Sequence, residues 1–136
     1  MEGQGKCLCG AVRVIAKSVS QSLGVCHCSM CRKWGGGPWL GVDCGAEVSF
    51  EGGDKLATFS SSAWAERGFC KQCGTHLFYR LKEPIRYFVA AALFDNITDY
   101  RFDHQVFIDE KPDYYNFAEK TAVLTGAEVF ARFLPK

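Results

Sequence analysis

Cys7-Leu8-Cys9-Gly10 and Cys70-Lys71-Gln72-Cys73-Gly74 are the two short stretches that decide how this chain folds. Two cysteines separated by one or two residues can bind the same metal ion, and four thiolates complete the tetrahedral shell that zinc prefers. The two stretches lie more than 60 residues apart, so a shared ion would close a long loop and couple metal binding to folding. We therefore predict one structural zinc ion with four ligands: Cys7, Cys9, Cys70 and Cys73.

A third cysteine motif, Cys26-His27-Cys28-Ser29-Met30-Cys31, contains three cysteines. Three thiolates leave the fourth coordination position to water or a substrate atom, as in catalytic zinc sites. A helical turn after Cys28 would place Cys28 and Cys31 on the same side of the chain. Two alternatives stay open at this point. In the first, a fourth protein ligand completes a second structural site; the candidates are Cys44, His27, His76 and His104. In the second, one of the outer motifs shares its ion with two of these cysteines.

The composition predicts one domain over residues 1–136. A net charge of +1, from 16 basic and 15 acidic residues, provides no basic surface for nucleic acid or for an anionic membrane. No stretch approaches the roughly 18 apolar residues of a membrane span, and residues 1–6 lack the pattern of an export signal. We therefore expect a cytoplasmic protein whose partners are small molecules, with no indication of its oligomeric state.

Eight cysteines could alternatively form four disulfides in a secreted domain. Closely spaced cysteines are poor disulfide partners and good chelators, and an apolar content of 48% is enough for a core without crosslinks. Metal binding is therefore the favoured interpretation. Cys44 stands outside the motifs, and we predict that it packs in the core; a redox nucleophile at this position would need an exposed thiol with a low pKa.

The pattern of apolar residues predicts a mainly β fold of small antiparallel sheets. The segment 46–51 alternates apolar and polar residues, as a strand with one buried face does. Further strands are predicted at 11–17, 21–26, 38–42, 56–60, 63–69, 75–81, 87–93 and 104–108. A short C-terminal helix is predicted from a capping box of Thr125 and Glu128. Its apolar face consists of Val129, Phe130, Phe133 and Leu134.

Taken in order, the cysteine motifs and their neighbours resemble the glutathione-dependent formaldehyde-activating enzyme family of zinc carbon-sulfur lyases. The resemblance covers about residues 5–115. It consists of Gly5-Lys6-Cys7-Leu8-Cys9-Gly10, Cys26-His27-Cys28-x-x-Cys31-Arg32, Arg67-x-Phe69-Cys70-x-x-Cys73-Gly74-Thr75-x-Leu77, Leu93-x-Asp95, His104 and Lys111-Pro112.

The resemblance implies a mainly β fold of small stacked antiparallel sheets around the zinc sites, an activity, and different roles for two zinc ions. The family activity is the condensation of glutathione with formaldehyde to S-hydroxymethylglutathione, and the reverse cleavage of that carbon-sulfur bond. By the match, the outer four cysteines hold the structural zinc, and Cys26, Cys28 and Cys31 hold the catalytic zinc. The expected partners are thus a small-molecule thiol and an aldehyde.

Three further residues are predicted to bind substrate: Arg67, Arg32 and Trp39. A guanidinium group matches the geometry of a carboxylate, and glutathione has two carboxylates. Trp39 closes the glycine-rich stretch that follows Cys31, where an aromatic wall could face a peptide-like ligand. His27 and His104 are expected to be hydrogen-bonded or packed rather than catalytic. The alternative to an enzyme is a non-enzymatic zinc-stabilised β module that binds a protein partner.

Overall fold

The computed structural model describes residues 1–133, which form a mainly β fold with two short helices. The helices are α1 (Ser29–Gly35) and α2 (Gly126–Arg132). The strands are β1 (Gly3–Lys6), β2 (Arg13–Ala16), β3 (Ser22–Cys26), β4 (Trp39–Asp43), β5 (Val48–Glu51), β6 (Leu56–Phe59), β7 (Ala65–Cys70), β8 (His76–Lys82), β9 (Ile85–Ala90), β10 (Arg101–Val106) and β11 (Ala122–Leu124). The predicted fold class and the C-terminal helix are confirmed.

Within residues 1–133 the strands form two sheets. One is a three-stranded antiparallel sheet with the order β1-β2-β5. The other, counted over the same residues, has eight strands in the order β11-β10-β3-β4-β9-β8-β7-β6, and it is mixed because β10 runs parallel to both β3 and β11. Hairpin signals along the chain indicate only local antiparallel pairs, so the sequence did not predict the parallel pairing that extends this sheet.

The core lies where the three-stranded sheet packs on the larger one. Phe50 of β5 lies 5.2 Å from Phe78 of β8 and 5.9 Å from Tyr87 of β9, measured between ring centroids. Val48 and Phe50 are half-buried while Ser49 is exposed, as the alternating pattern predicts. The two sheets are therefore held together by apolar side chains, which the period-two pattern places on one face of each strand.

Cys44 belongs to this core. The residue is 1% exposed, and burial raises the pKa of its thiol to about 12. The prediction of a packed core thiol is confirmed. A redox role is not supported, because the thiol is neither exposed nor acidic.

Both helices begin where the sequence predicts, but their lengths differ from the prediction. α1 is longer than the single turn predicted after Cys28, which is its N-cap residue. In α2 the capping box is present: the Glu128 N-H donates to the Thr125 hydroxyl at 3.2 Å, and the Thr125 N-H donates to Glu128 at 2.9 Å. Val129 is buried, whereas Phe133 is 63% exposed, and Leu134 lies outside the described residues. No helix within residues 1–133 is long and apolar enough to cross a membrane.

Candidate metal centres and the adjoining cavity

The four-cysteine cluster (Cys7, Cys9, Cys70, Cys73) joins two turns of the chain. The first pair lies between β1 and β2, and the second lies at the end of β7 and in the following turn. The four sulfur atoms lie within 4.8 Å of one another, with separations of 3.6 Å between Cys7 and Cys9 and 3.8 Å between Cys9 and Cys70. Zinc-sulfur bonds of about 2.3 Å in a tetrahedron place the sulfurs about 3.8 Å apart, so this donor set fits a zinc ion.

Two glycines allow these turns to curl around the cluster. Gly10 and Gly74 have φ of 82° and 79°, in the left-handed region that glycine adopts without strain. The Val12 N-H donates to Cys7 Sγ at 3.3 Å. The Thr75 hydroxyl lies 3.1 Å from Cys73 Sγ and lowers the pKa of that thiol to about 5. The turn therefore stabilises thiolate at Cys73, the form in which cysteine binds a metal.

The three-cysteine cluster (Cys26, Cys28, Cys31) lies where β3 leads into α1. Its sulfur atoms also lie within 4.8 Å of one another, because the first turn of α1 brings Cys28 and Cys31 to the same side. The Cys31 N-H donates to Cys28 Sγ at 3.3 Å. Hydrogen bonds from the Cys26 and Cys31 thiols lower the pKa of Cys28 to about 2, and the contact with Cys28 raises the pKa of Cys26. This cluster, too, is suited to a cation.

Among residues 1–133, no fourth cysteine, histidine or carboxylate joins the three-cysteine cluster. The side chains that could have completed it lie elsewhere. Cys44 is in the core, His76 stacks on Trp34 with ring centroids 4.3 Å apart, and the His104 Nδ1 lies 2.7 Å from Asp103. The donor set therefore consists of three cysteine sulfurs, the number that would leave one coordination position of zinc to a substrate atom.

His27 lies between two of these cysteines but faces away from them into a buried hydrogen-bond chain. The side chain is fully buried, with Nδ1 2.7 Å from the Tyr115 hydroxyl and Nε2 2.7 Å from Gln105 Oε1. The Gln105 amide donates to Thr121 at 3.0 Å, which turns its oxygen toward His27. Burial lowers the pKa of His27. The neutral ring therefore donates from Nε2 and accepts the Tyr115 hydroxyl at Nδ1.

Arg67 links the three-cysteine cluster to a cavity. The side chain comes from β7, is 3% exposed, and donates from Nη1 to Cys31 Sγ at 3.4 Å. Its guanidinium lies between the rings of Trp34 and Tyr79, 5.2 and 5.0 Å from their centroids. Among the described residues, its Nε has no hydrogen-bond partner. Arg67 thus offsets negative charge on the cluster and retains one unused donor.

The cavity has a volume of about 300 Å³ and lies between α1 and the β6-β7 hairpin. Its walls are formed by Met30, Lys33, Trp34, Phe59, Ser61 and Arg67. Within residues 1–133 the buried Ser61 hydroxyl, like Arg67 Nε, has no partner. Phe59 is paired with Arg67 across β6 and β7, so the hairpin brings it to the cavity.

Of the three residues predicted to bind substrate, one lines the cavity and two do not. Arg67 lines the cavity. Arg32 donates from Nε to the His27 carbonyl at 2.8 Å, and Trp39 packs on Trp34 with centroids 5.8 Å apart; neither lines the cavity. The sequence analysis missed Phe59 and Ser61, because no motif marks them and only the β6-β7 pairing carries them to this place.

Comparison with known proteins decides the family. A family model described as "Glutathione-dependent formaldehyde-activating enzyme" matches residues 2–110. The chain belongs to this family. A relative from Schizosaccharomyces pombe, named as an uncharacterized lyase, is 41% identical over 131 residues, covering 94% of each chain. The protein is accordingly an enzyme of the lyase class, which argues against a non-enzymatic zinc module.

Two further similarities agree with this membership. A putative glutathione-dependent formaldehyde-activating enzyme from Podospora anserina is 38% identical over 87 residues, which are 60% of this chain and 40% of the relative. A crystal structure of a Rhodobacter sphaeroides protein superposes with a TM-score of 0.60 at 23% identity, covering 70% of this chain and 90% of that one. The second similarity concerns the fold alone.

Proposed function

We propose that this enzyme is a zinc-dependent carbon-sulfur lyase of the S-(hydroxymethyl)glutathione synthase type. It would join a glutathione-like thiol to a small aldehyde and cleave the same bond in the reverse direction. The observation that supports the proposal is the three-cysteine cluster, which gathers three cysteine sulfurs without a fourth protein ligand among residues 1–133 and lies beside a cavity lined by the buried Arg67. Family membership points to the same substrates.

Each of the two clusters would bind one zinc ion, and the two ions would have different roles. The four-cysteine cluster supplies a complete tetrahedral shell and would hold a structural ion. Cys26, Cys28 and Cys31 would hold the catalytic ion. Zinc bound there would lower the pKa of a coordinated thiol and act as a Lewis acid toward a carbonyl oxygen.

The surrounding residues would bind and orient the substrates. Arg67 would lie near the reacting end of the substrates, because it contacts Cys31 directly. Arg32 follows Cys31 in α1 and would attract a carboxylate of the thiol. Trp39, which packs on Trp34 outside the cavity, would act by holding that ring in place.

The proposed reaction balances without any oxidant or reductant. The thiol gives up its proton, its sulfur attacks the aldehyde carbon, and a carbon-sulfur bond forms. The π electrons of the carbonyl move to oxygen, which then takes one proton to become the hydroxyl group of the adduct. Reversal of these steps cleaves the adduct into thiol and aldehyde.

Metal analysis combined with exchange NMR tests this proposal. We expect two zinc ions per chain, and acceleration of the exchange between free glutathione and its formaldehyde adduct beyond the uncatalysed rate. A Cys44→Ala variant is the matched control, because it removes a cysteine that belongs to neither cluster and should retain both properties. One zinc ion per chain and no acceleration would overturn the proposal.

A further inference from the structure

Within residues 1–133, three buried side-chain polar atoms lack a hydrogen-bond partner; two of them lie in the cavity, and the third, Arg80 Nε, lies outside it. Arg67 Nε and the Ser61 hydroxyl are both buried, and neither has a partner among residues 1–133. Burying a polar group without a partner costs folding free energy, so a protein retains such groups where a ligand completes them. The Arg67 side chain can only donate, so the missing ligand supplies an acceptor such as an oxygen atom.

The position of this acceptor identifies the part of the substrate that carries it. The Arg67 side chain lines the cavity and its Nη1 lies 3.4 Å from Cys31 Sγ, so the cavity adjoins the three-cysteine cluster at Arg67. The amide carbonyl oxygens of glutathione are four or five bonds from its sulfur and the carboxylates are farther away, whereas the aldehyde oxygen is two bonds from that sulfur in the adduct. The oxygen that comes closest to the reacting sulfur is that of the aldehyde.

The size and lining of the cavity indicate what else the aldehyde contains. Met30, Trp34 and Phe59 supply apolar walls to a space of about 300 Å³, which lies in the range of small-molecule pockets. Formaldehyde has two heavy atoms and is little larger than water, whose share of liquid volume is about 30 Å³. It would leave most of the cavity unfilled, whereas a short hydrocarbon chain would cover the apolar walls.

We propose that this cavity binds the aldehyde, with the oxygen at Arg67 and Ser61 and an apolar chain against Met30, Trp34 and Phe59, so that the enzyme acts on aldehydes larger than formaldehyde. The inference rests on the proposed carbon-sulfur lyase function and deepens it. When the thiolate adds to the carbonyl carbon, the electron pair of the π bond moves to oxygen. Arg67 and Ser61 would stabilise that charge until the oxygen takes the proton released by the thiol.

The test compares formaldehyde and butanal with glutathione as the thiol, with rates expressed per free carbonyl form. We expect kcat/KM for butanal to exceed that for formaldehyde about tenfold or more, because each methylene in an apolar pocket adds to binding. Ser61→Ala should lower kcat/KM for butanal about three- to tenfold and leave the KM for glutathione unchanged. Ser62→Ala is the matched control, because Ser62 adjoins Ser61 and does not line the cavity.

A binding readout does not depend on turnover. The chain has two methionines, Met1 and Met30, and only Met30 lines the cavity. In protein labelled with ¹³C at the methionine methyl groups, butyramide, an unreactive carbonyl compound of the same length as butanal, should shift the Met30 signal and leave Met1 unchanged. Ser61→Ala should weaken this binding.

The outcomes separate the two proposals. A preference for formaldehyde, with no Met30 shift, would overturn the inference and leave the lyase function standing. Absence of turnover with every aldehyde, formaldehyde included, would overturn the lyase function and the aldehyde assignment together. Equal effects of Ser61→Ala and Ser62→Ala would show that Ser61 has no particular role and would contradict the inference as well.

Discussion

The two cysteine clusters differ in the distance along the chain from which their ligands come. The four-cysteine cluster joins residues 7 and 9 to residues 70 and 73, whereas the three-cysteine cluster lies within the six residues 26–31. An ion in the first would hold two distant turns together, so its loss would release a long loop. An ion in the second would constrain only a short segment. An ion in the first arrangement would thus serve the fold, as the proposed function requires, and an ion in the second would be available for chemistry.

The surroundings of the two clusters also differ, in the number of buried polar side chains near them. Among residues 1–133, the buried polar or charged side chains are His27, Arg67 and Gln105, and all three belong to the surroundings of the three-cysteine cluster. Leu8, in the turn of the four-cysteine cluster, is 90% exposed. Because buried polar groups cost free energy unless they are bonded, a concentration of them at one place is typical of a functional site.

The comparison predicts its largest effect for Cys70→Ser. Removal of one ligand forfeits metal-coupled folding energy, which is comparable to the whole net stability of a domain, about 5–15 kcal/mol. We expect no cooperative thermal transition by circular dichroism. Cys44→Ala, which also changes a buried cysteine, should stay folded with a loss of about 1–2 kcal/mol. A well-folded Cys70→Ser protein would show that the fold does not depend on this cluster.

Cys28→Ser should separate function from folding. Its cluster closes no long loop, so we expect a folded protein with a cooperative transition, one zinc ion per chain instead of two, and loss of catalysed adduct exchange. Elemental analysis, circular dichroism and exchange NMR on one preparation check all three results. An unfolded product would contradict the assignment of this cluster to chemistry.

Tyr115→Phe should have an intermediate effect, because it acts on the surroundings of the three-cysteine cluster. The variant removes the hydroxyl that His27 accepts and leaves a buried acceptor without its partner. The expected loss is about 1–3 kcal/mol in the free energy of unfolding, measured with urea. Tyr114→Phe is the control, because Tyr114 is 77% exposed and should change the stability little. Equal losses in both variants would contradict the importance of the His27 hydrogen bonds.

The smallest predicted effect is that of Asp103→Asn on thermal stability. Asp103 lies where β10 pairs with β3, the strand that ends at Cys26. Hydrogen bonds from His104 and Ser22 lower the pKa of Asp103 to about 2 from its ordinary 3.8. The charged carboxylate therefore stabilises the fold fully above about pH 4, and this contribution is lost as the pH falls toward 2. Between pH 5 and pH 2.5, the Tm of the wild type should fall about 1–4 °C further than that of Asp103→Asn. Parallel curves would show that Asp103 contributes nothing.

Much of the local structure could be predicted from the chain. Period-two alternation located most strands, and the Thr125 capping box located the start of α2, because both signals depend on neighbouring residues. β1 and β11 were missed, since β1 consists of two glycines, a glutamine and a lysine and so has no apolar pattern, and β11 has only three residues. The strand predicted to reach residue 93 ends at Ala90, where a 3-10 turn follows.

The sequence by itself determined that each short cysteine motif could bind a metal ion, because the spacing within a motif is a property of the chain. Only the folded chain brings the motif at residues 7–9 to the motif at residues 70–73. Tertiary structure alone decided that β10 runs parallel to β3, that His27 turns toward Gln105, and that Ser61 and Phe59 meet Trp34 at one cavity. These contacts join elements that are remote in sequence. Their geometry follows from how the sheets and α1 pack, and no local pattern encodes that packing.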